Sequence, residues 1–244
     1  MKRLASLVIA LTVMASGATA FANAAGVTFW DADIQGSVKS GSMDVDLKND
    51  LGLGDKNILE YNLDLNFLGP KAYLHYYKAS NSGVNTLTRN IDYNGETFTN
   101  GTAVTSNLKE EIIDLTFAKS VLKTDALQVD LLGGIKYISM DTNIAGGGNS
   151  ATDSVRGLVP TIGIGAQSHL SKDLLAKASI SGFDISVGNK NVDVYDLKYG
   201  LEYKPVANVA IGAGIQKSKV LAEDGTSKGD LWREGNYFEV VVKF

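Results

Sequence analysis

The sequence predicts an all-β fold: a transmembrane, antiparallel up-and-down β-barrel of ten strands. Apolar and polar residues alternate with a period of two in one segment after another, as in strands whose two faces meet different surroundings. Short turns alternate with longer polar connections, and the strand count is even, as in barrels that cross a membrane. After the N-terminal segment, no run of 18 or more apolar residues occurs, which excludes a helical membrane protein.

Residues 1–24 have the organisation of a secretory signal peptide. Lys2 and Arg3 precede an apolar run of 11 residues, 4–14, which is too short to span a bilayer. The small residues that follow fit cleavage after Ala24, with cleavage after Ala20 as the alternative. The sequence therefore predicts an exported chain with one domain, the barrel of residues 25–244.

The composition of the mature chain excludes several classes of protein. Loss of Lys2 and Arg3 from 23 basic residues leaves 21 against 27 acidic ones, a net charge of −6, which argues against a nucleic-acid partner. The absence of cysteine excludes a disulfide scaffold and thiol chemistry. The 26 glycines and only 3 prolines suit a chain of many strands and tight turns.

The clearest strand is the segment 57–67, in which five large apolar residues alternate with a polar row. The ten predicted strands lie at about residues 27–38, 57–67, 71–89, 108–119, 126–140, 158–167, 174–187, 192–204, 207–220 and 237–244. The longer loops are predicted at residues 39–56, 90–105, 144–153 and 222–234. The tight hairpin at Gly188 interrupts the alternation of short and long connections. Eight strands would follow if this hairpin or the first strand were misassigned.

The chain ends in an alternating apolar strand. Phe238, Val240, Val242 and Phe244 fall on one side of this strand. The ending resembles the closing strand of bacterial outer-membrane β-barrels, where a terminal phenylalanine on such a strand is the assembly signal for the insertion machinery. We also expect this strand to pair with the strand around Trp30.

As a pattern of strands, turns and ending, the mature chain resembles small OmpA/OmpW-like or porin-like barrels throughout its length. The resemblance implies a monomer in the bacterial outer membrane. It implies outer-membrane lipid, including lipopolysaccharide, and the barrel-insertion machinery as partners. It rests on no residue-specific motif and therefore gives no functional residues.

The polar row of the strands predicts a lumen-facing network that contains both signs of charge. In a barrel of eight to ten strands the interior is narrow enough for side chains to fill it, and opposite charges in such a space are expected to pair. The predicted members are Glu60, Asp64, Asp114, Asp130, Lys136, Asp196, Lys198, Glu202, Lys204, Glu239 and Lys243. Two interpretations stay open: a network that plugs the lumen, or a thin polar pore.

The register of the last strand leads to a more specific expectation. Closure of the barrel would place Glu239 and Lys243 beside Asp31 or Asp33 in the lumen. Aromatic residues near strand ends are predicted to form the girdles at the two membrane interfaces. The predicted girdle residues include Trp30, Tyr137, Tyr195, Tyr203 and Phe244.

No enzyme, cofactor or metal site is predicted. The two histidines, His75 and His169, fall at the periplasmic ends of their strands, whereas barrel enzymes act near the outer rim. Asp44, Asp46 and the other acidic residues of loop 39–56 could bind Ca²⁺, but no EF-hand pattern is present and a solvated loop is the simpler interpretation.

The sequence therefore predicts an integral outer-membrane barrel with a structural or small-pore role and a narrow polar lumen. The alternative is a surface-interaction barrel, adhesin-like or ligand-binding, that acts through loops 39–56, 90–105 and 222–234. A soluble exported β-sandwich is a third hypothesis, which the terminal phenylalanine and the large apolar rows disfavour.

Overall fold

Ten long antiparallel strands form a closed ring. The computed structural model describes residues 22–66 and 71–244. The ring consists of β1 (Ala22–Ser40), β3 (Lys56–Asn66), β4 (Lys71–Thr86), β7 (Ala103–Lys123), β8 (Leu127–Gly146), β9 (Asn149–His169), β10 (Leu174–Val187), β11 (Lys190–Val206), β12 (Val209–Asp224) and β13 (Ser227–Lys243). Three short strands in the connections are β2 (Asp44–Asp46), β5 (Ile91–Tyr93) and β6 (Glu96–Phe98).

Each ring strand pairs with the next ring strand along the chain, and β13 pairs with β1. The prediction of an antiparallel up-and-down barrel is therefore confirmed, and its ring has the ten hydrogen-bonded strands that the sequence predicts. Ala22, Phe244 and the turns at residues 124–126, 170–173 and 207–208 lie at one end of the barrel, which we call the terminus end; the opposite end is the loop end. The described part of the chain contains no helix long and apolar enough to cross a bilayer.

The barrel closes along a continuous seam between β1 and β13. The register runs from Ala24 opposite Lys243 to Ser40 opposite Ser227, and Trp30 lies opposite Tyr237, as predicted. A Cβ on Gly235 would lie 1.7 Å from the carbonyl oxygen of Asp31. The seam therefore requires glycine at this position, because any side chain would push the two backbones apart.

The start of β1 bears on the cleavage site of the signal peptide, most of which lies outside the described residues. Ala22 pairs with Leu65 of β3, and the N–H of Phe244 donates to the carbonyl oxygen of Asn23 at 2.9 Å. Cleavage after Ala24 would remove these contacts, whereas cleavage after Ala20 would keep them. We therefore expect the mature chain to begin at Phe21, which the intact mass of the purified protein measures. A mass that corresponds to a start at Ala25 would contradict this expectation.

The outward residues form an apolar band around the barrel. On β9, for example, Leu158, Ile162 and Ile164 are exposed by 72%, 66% and 50%. Toward the loop end the outward row becomes charged, as at Arg156 of β9, which pairs with Asp141 of β8 at 3.1 Å. Apolar side chains on the outer wall, bordered by charged ones, are expected where lipid replaces water.

Two of the predicted long loops, 144–153 and 222–234, are in fact strand hairpins. β8 and β9 are joined at Gly147 and Gly148, with φ of 60° and 88°, and β12 and β13 turn at Gly225, with φ of 62°. Positive φ at these positions matches the tight turns that join antiparallel strands. Pairing continues this far because inward residues of both hairpins, such as Ile144 and Leu231, are buried in a common core.

The connection between β4 and β7, predicted as loop 90–105, contains a hairpin at the dipeptide Asn94-Gly95. Asn94 has a φ of 47° and Gly95 a φ of 80°, and they join β5 to β6. The tight hairpin at Gly188 is also confirmed, with a φ of 65° between β10 and β11.

β9 and β10 pair over only part of their lengths. Their ladder runs from Leu175 opposite His169 to Gly182 opposite Ile162. Toward the loop end, β9 pairs only with β8. Pro160 lies in this part of β9, and proline fits a strand with one unpaired edge because it has no N–H to donate.

Candidate functional site: the filled barrel interior

The interior of the barrel is filled by two layers of side chains. A polar layer occupies the part nearer the terminus end, and an apolar layer occupies the part nearer the loop end. The two layers meet at a buried ion pair between Glu110 of β7 and Arg233 of β13.

One group of polar residues links opposite walls of the barrel. Lys198 Nζ lies 2.9 Å from Glu239 Oε2. Gln216 Nε2 of β12 donates to Glu60 Oε2 of β3 at 3.0 Å, and His75 Nδ1 lies 3.4 Å from Glu60 Oε1. Because β12 and β3 are not neighbours in the ring, the hydrogen bond between Gln216 and Glu60 crosses the lumen.

A second group is centred on Lys136, which is almost completely buried. Its ammonium group contacts Asp196 of β11 and lies 3.4 Å from Asp114 Oδ2 of β7. Ser218 Oγ donates to the other oxygen of Asp196 at 2.9 Å. Two carboxylates thus compensate the charge of Lys136, which a buried lysine needs because it has lost its hydration.

The remaining predicted lumen residues lie closer to the terminus end. Glu202 contacts Lys177, and Lys243 Nζ lies 4.0 Å from Glu202 Oε1. Asp130 accepts hydrogen bonds from Gln128 and Ser120. Asp64 and Lys243 line a cavity of about 180 Å³ that opens at this end. Lys204 contributes its backbone N–H to Asp173 at 2.8 Å, and among the described residues its side chain joins no ion pair.

The central ion pair was missed by sequence reasoning. Arg233 Nε donates to Glu110 Oε2 at 2.7 Å, and both side chains are only 1% exposed. Tyr77 donates to the other oxygen of Glu110 at 3.0 Å, and Arg233 Nη2 donates to Asn81 at 2.8 Å. Arg233 falls within the predicted loop 222–234, although it lies in β13. Glu110 shares the period-two row of Asp114, and this pattern could have identified it.

The structure corrects two further expectations about β1. Trp30 is not a girdle residue: it is fully buried inside the barrel, where its ring meets that of Tyr77 edge-on at 6.2 Å between centroids. Asp31 and Asp33 face outward, so they do not lie beside Glu239. The β1 partner of Glu239 is Thr28, whose hydroxyl donates to it at 3.4 Å. The inward row of β1 is the one that carries Trp30.

The layer at the loop end is apolar, so the prediction of a polar lumen is wrong for this half of the barrel. Inward residues of the ring strands, such as Ile34, Leu108 and Val220, are buried there. The connections fold over the mouth and add their own apolar side chains, none more than 2% exposed. These residues are Val45, Leu47, Leu51, Leu53, Leu87, Ile91, Tyr93 and Phe98. We call these eight residues and the segments that carry them, 41–55 and 87–102, the cap.

The acidic residues of segment 41–55 hold the cap together. Asp46 Oδ1 accepts the backbone N–H groups of Lys48 and Asn49 at 2.9 and 2.6 Å. Asp50 forms a two-point contact with Arg89, with Nε to Oδ1 at 3.1 Å and Nη2 to Oδ2 at 2.5 Å. Asp55 accepts the N–H of Ile34 at 3.0 Å. No grouping suited to a metal ion occurs among the described residues.

The Asp50–Arg89 contact makes the cap sensitive to acid. Burial would raise the pKa of Asp50, but hydrogen bonds from Arg89 and from the N–H of Asp46 outweigh it and hold the pKa below its usual value of 3.8. A depressed pKa contributes stability that is present above pH 3.8 and lost as the pH falls through the lowered value. We therefore expect pepsin to cut within residues 41–55 increasingly below about pH 4.

The matched variant for this test is Asp50→Asn, which cannot titrate. It should be cut at the same sites severalfold faster than wild type at pH 4.5 and should show a weaker dependence on pH. Equal pH dependence in the two proteins would show that a different group controls the cap.

Both histidines lie away from the loop end. His75 is in the interior, where Nδ1 lies 2.7 Å from Asn62 Oδ1. His169 is exposed at the terminus end, at the last pair of the β9–β10 ladder. The two residues therefore do not meet each other.

Comparison with known proteins identifies the fold. No family model matches the chain, and no curated protein sequence matches it. Among solved structures, the outer membrane protease OmpT from Escherichia coli matches with a TM-score of 0.61 at 9% identity, over 92% of this chain and 98% of that one. The chain thus has the fold of outer-membrane β-barrels.

Two other solved structures match less closely. The translocator domain of the autotransporter NalP from Neisseria meningitidis has a TM-score of 0.44 at 10% identity, over 99% of this chain and 96% of that one. The attachment invasion locus protein Ail of Yersinia pestis has a TM-score of 0.36 at 12% identity, over 89% of this chain and 99% of that one.

Proposed function

We propose that this chain is an integral protein of the bacterial outer membrane whose barrel is closed to solutes. The observation that carries this proposal is the apolar layer at the loop end. Leu47, Leu51 and Phe98 belong to one buried core with inward residues of the ring strands. A hydrated solute would have to displace this core and then the ion pairs beneath it. The role is therefore structural, and the barrel does not act as a pore.

Conductance across a planar bilayer tests this proposal directly. Purified wild-type barrel, shown to be folded by its heat-modifiable migration on a gel, should give no steady current steps. A general porin inserted in the same bilayer serves as the positive control. Reproducible open-channel steps from the folded protein would overturn the proposal.

The second candidate is a surface-interaction role, and the fixed arrangement of the cap favours it. Asn94 Nδ2 donates to the carbonyl oxygen of Thr152 at 2.7 Å, and the N–H of Asn94 donates to Ser40 at 3.0 Å. These bonds join the β5–β6 hairpin to β9 and β1. Preorganised loops lose less conformational entropy when they bind a partner.

The surface role predicts a phenotype for cells that carry the protein. Cells that express wild type should settle out of suspension faster than cells that express a variant with residues 91–98 replaced by a glycine-serine linker. The variant must reach the membrane in equal amount. Equal settling would contradict cell–cell contact through this hairpin.

A further inference from the structure

The cavity at the terminus end lies along a row of inward residues from four adjacent strands. Ala24 of β1 lies opposite Lys243 of β13 and also opposite Asp64 of β3. Tyr73 of β4 lies on the other side of Asp64. All four residues line the cavity, whose volume is about 180 Å³. Ala24, which a mature chain beginning at Phe21 retains, has only a methyl group and therefore leaves open space between the carboxylate of Asp64 and the ammonium group of Lys243.

The charged groups that line this cavity do not neutralise one another. Adjacent strands lie about 4.8 Å apart, so the backbones that carry Asp64 and Lys243 are separated by about 10 Å. Lys71 of β4 also lines the cavity, and neither it nor Asp64 forms a salt bridge with any residue that the structure describes. The undescribed residues 67–70 carry no charge. Lys243 has only a distant partner, since its Nζ lies 4.0 Å from Glu202 Oε1.

Asp64 differs from the other inward carboxylates near the terminus end. Asp130 accepts hydrogen bonds from Gln128 at 2.8 and 2.9 Å, and Glu202 contacts Lys177. Asp64 accepts no hydrogen bond from the part of the chain that the structure describes. A carboxylate that lines a cavity without such a partner is available to a ligand ammonium group, and hydrogen bonds between two charged groups are the strong ones.

A chain of hydrogen bonds separates the cavity from the rest of the lumen. Toward the loop end, the next inward residues of β3 and β4 are Asn62 and His75, and Asn62 Oδ1 lies 2.7 Å from His75 Nδ1. Asn62 Nδ2 donates to Thr28 Oγ1 at 2.8 Å, and this hydroxyl donates to Glu239 at 3.4 Å. A solute that enters from the terminus end therefore meets a closed polar layer instead of a path through the lumen.

We propose that this cavity binds a small zwitterion of the α-amino acid class. The ligand's ammonium group contacts Asp64, and its carboxylate lies between Lys71 and Lys243. A simple anion would be repelled by Asp64 and a simple cation by the two lysines, so the mixed charges select a molecule that carries both signs. The volume of about 180 Å³ suits such a ligand, because drug-sized molecules occupy roughly 300–1,000 Å³.

The inference rests on the proposed membrane location, which makes the terminus end the periplasmic end of the barrel. The ligand therefore comes from the periplasm and returns to it. Binding of this kind is compatible with a barrel that is closed to solutes.

Saturation-transfer NMR of the folded barrel in a neutral detergent tests the proposal with L-alanine, ethylamine and propionate. Ethylamine is alanine without the carboxylate, and propionate is alanine without the ammonium group. One ion pair in contact with water strengthens binding by up to about fivefold. Wild type should therefore bind alanine about fivefold more tightly than either analogue. Equal affinities for alanine and propionate would overturn the proposal, because the ammonium group would then contribute nothing.

Single variants of matched charge locate the site. Asp64→Asn should bind alanine no more tightly than propionate, and Lys71→Gln should weaken the binding of both severalfold. Asp130→Asn and Lys123→Gln remove inward charges at the same end that do not line the cavity, and they should keep the affinities of wild type. Equal losses in Asp64→Asn and Asp130→Asn would contradict a site at Asp64, since the net charge of the mouth would then control binding.

The proposed function is tested separately in the same preparations. Heat-modifiable migration shows that the barrel is folded, and a silent bilayer shows that it is closed, without any ligand. A folded and silent barrel that does not distinguish alanine from propionate contradicts the ligand site alone. If Asp64→Asn did not fold, the comparison of the three probes on wild type would still decide the proposal.

Discussion

Replacing Arg233 with methionine is expected to lower the free energy of unfolding by about 3–5 kcal/mol. The guanidinium group lies 2.7 Å from Glu110 Oε2, and both side chains are almost fully buried. Methionine leaves the carboxylate of Glu110 inside the barrel with only the hydroxyl of Tyr77 as partner. An uncompensated buried charge is strongly destabilising. Urea unfolding of the barrel in lipid vesicles, followed by gel migration, measures the change.

The double variant Glu110→Met/Arg233→Met provides the control. Removing both charges eliminates the cost of leaving one of them unpaired, and buried ion pairs can often be replaced by apolar residues of similar volume. The double variant should therefore be markedly more stable than Arg233→Met. Equal destabilisation of the single and double variants would show that packing, rather than charge pairing, is the contribution of Arg233.

The fold could be predicted because a barrel wall has two faces with different surroundings. In segment 57–67 the apolar and polar rows are separated so clearly that they predict both the strand and which of its sides faces the lumen. The closing pair of β1 and β13 also followed from the alternating last strand. These inferences depend on local periodicity, which the sequence displays directly.

The content of the interior could not be predicted in the same way. The inward row is polar near the terminus end but apolar near the loop end, as at Trp30 and Ile34 of β1. In that half both faces of a strand are apolar or mixed, so alternation no longer tells inside from outside. The cap adds a further difficulty, because Leu47 and Leu51 lie in a segment whose aspartates indicate a solvated loop. Their burial depends on contacts with strands distant in the sequence.

Replacing Phe98 with alanine is expected to open the cap while the ring of strands stays intact. Phe98 is 1% exposed and lies in β6, which forms a ladder with β5 and not with the ring; a few hydrogen bonds and the packing of Phe98 attach this hairpin to the barrel. Removal of such a buried ring costs about 3–5 kcal/mol. The loss should appear as local unfolding, because the long ladders of the ring do not include β6. Trypsin added to intact cells should then cut at Lys48 and Arg89, whereas wild type resists.

Phe238→Ala is the matched control for this prediction. It removes the same ring from the outward face of β13, where Phe238 is 45% exposed, and should leave Lys48 and Arg89 protected. Continued protection of these sites in Phe98→Ala would contradict an independently unfolding cap. The bilayer current of Phe98→Ala then shows which of the two interior layers closes the lumen. A silent barrel with an open cap means that the ion pairs around Lys136 and Lys198 suffice to close the lumen, whereas current steps mean that the apolar layer is the seal.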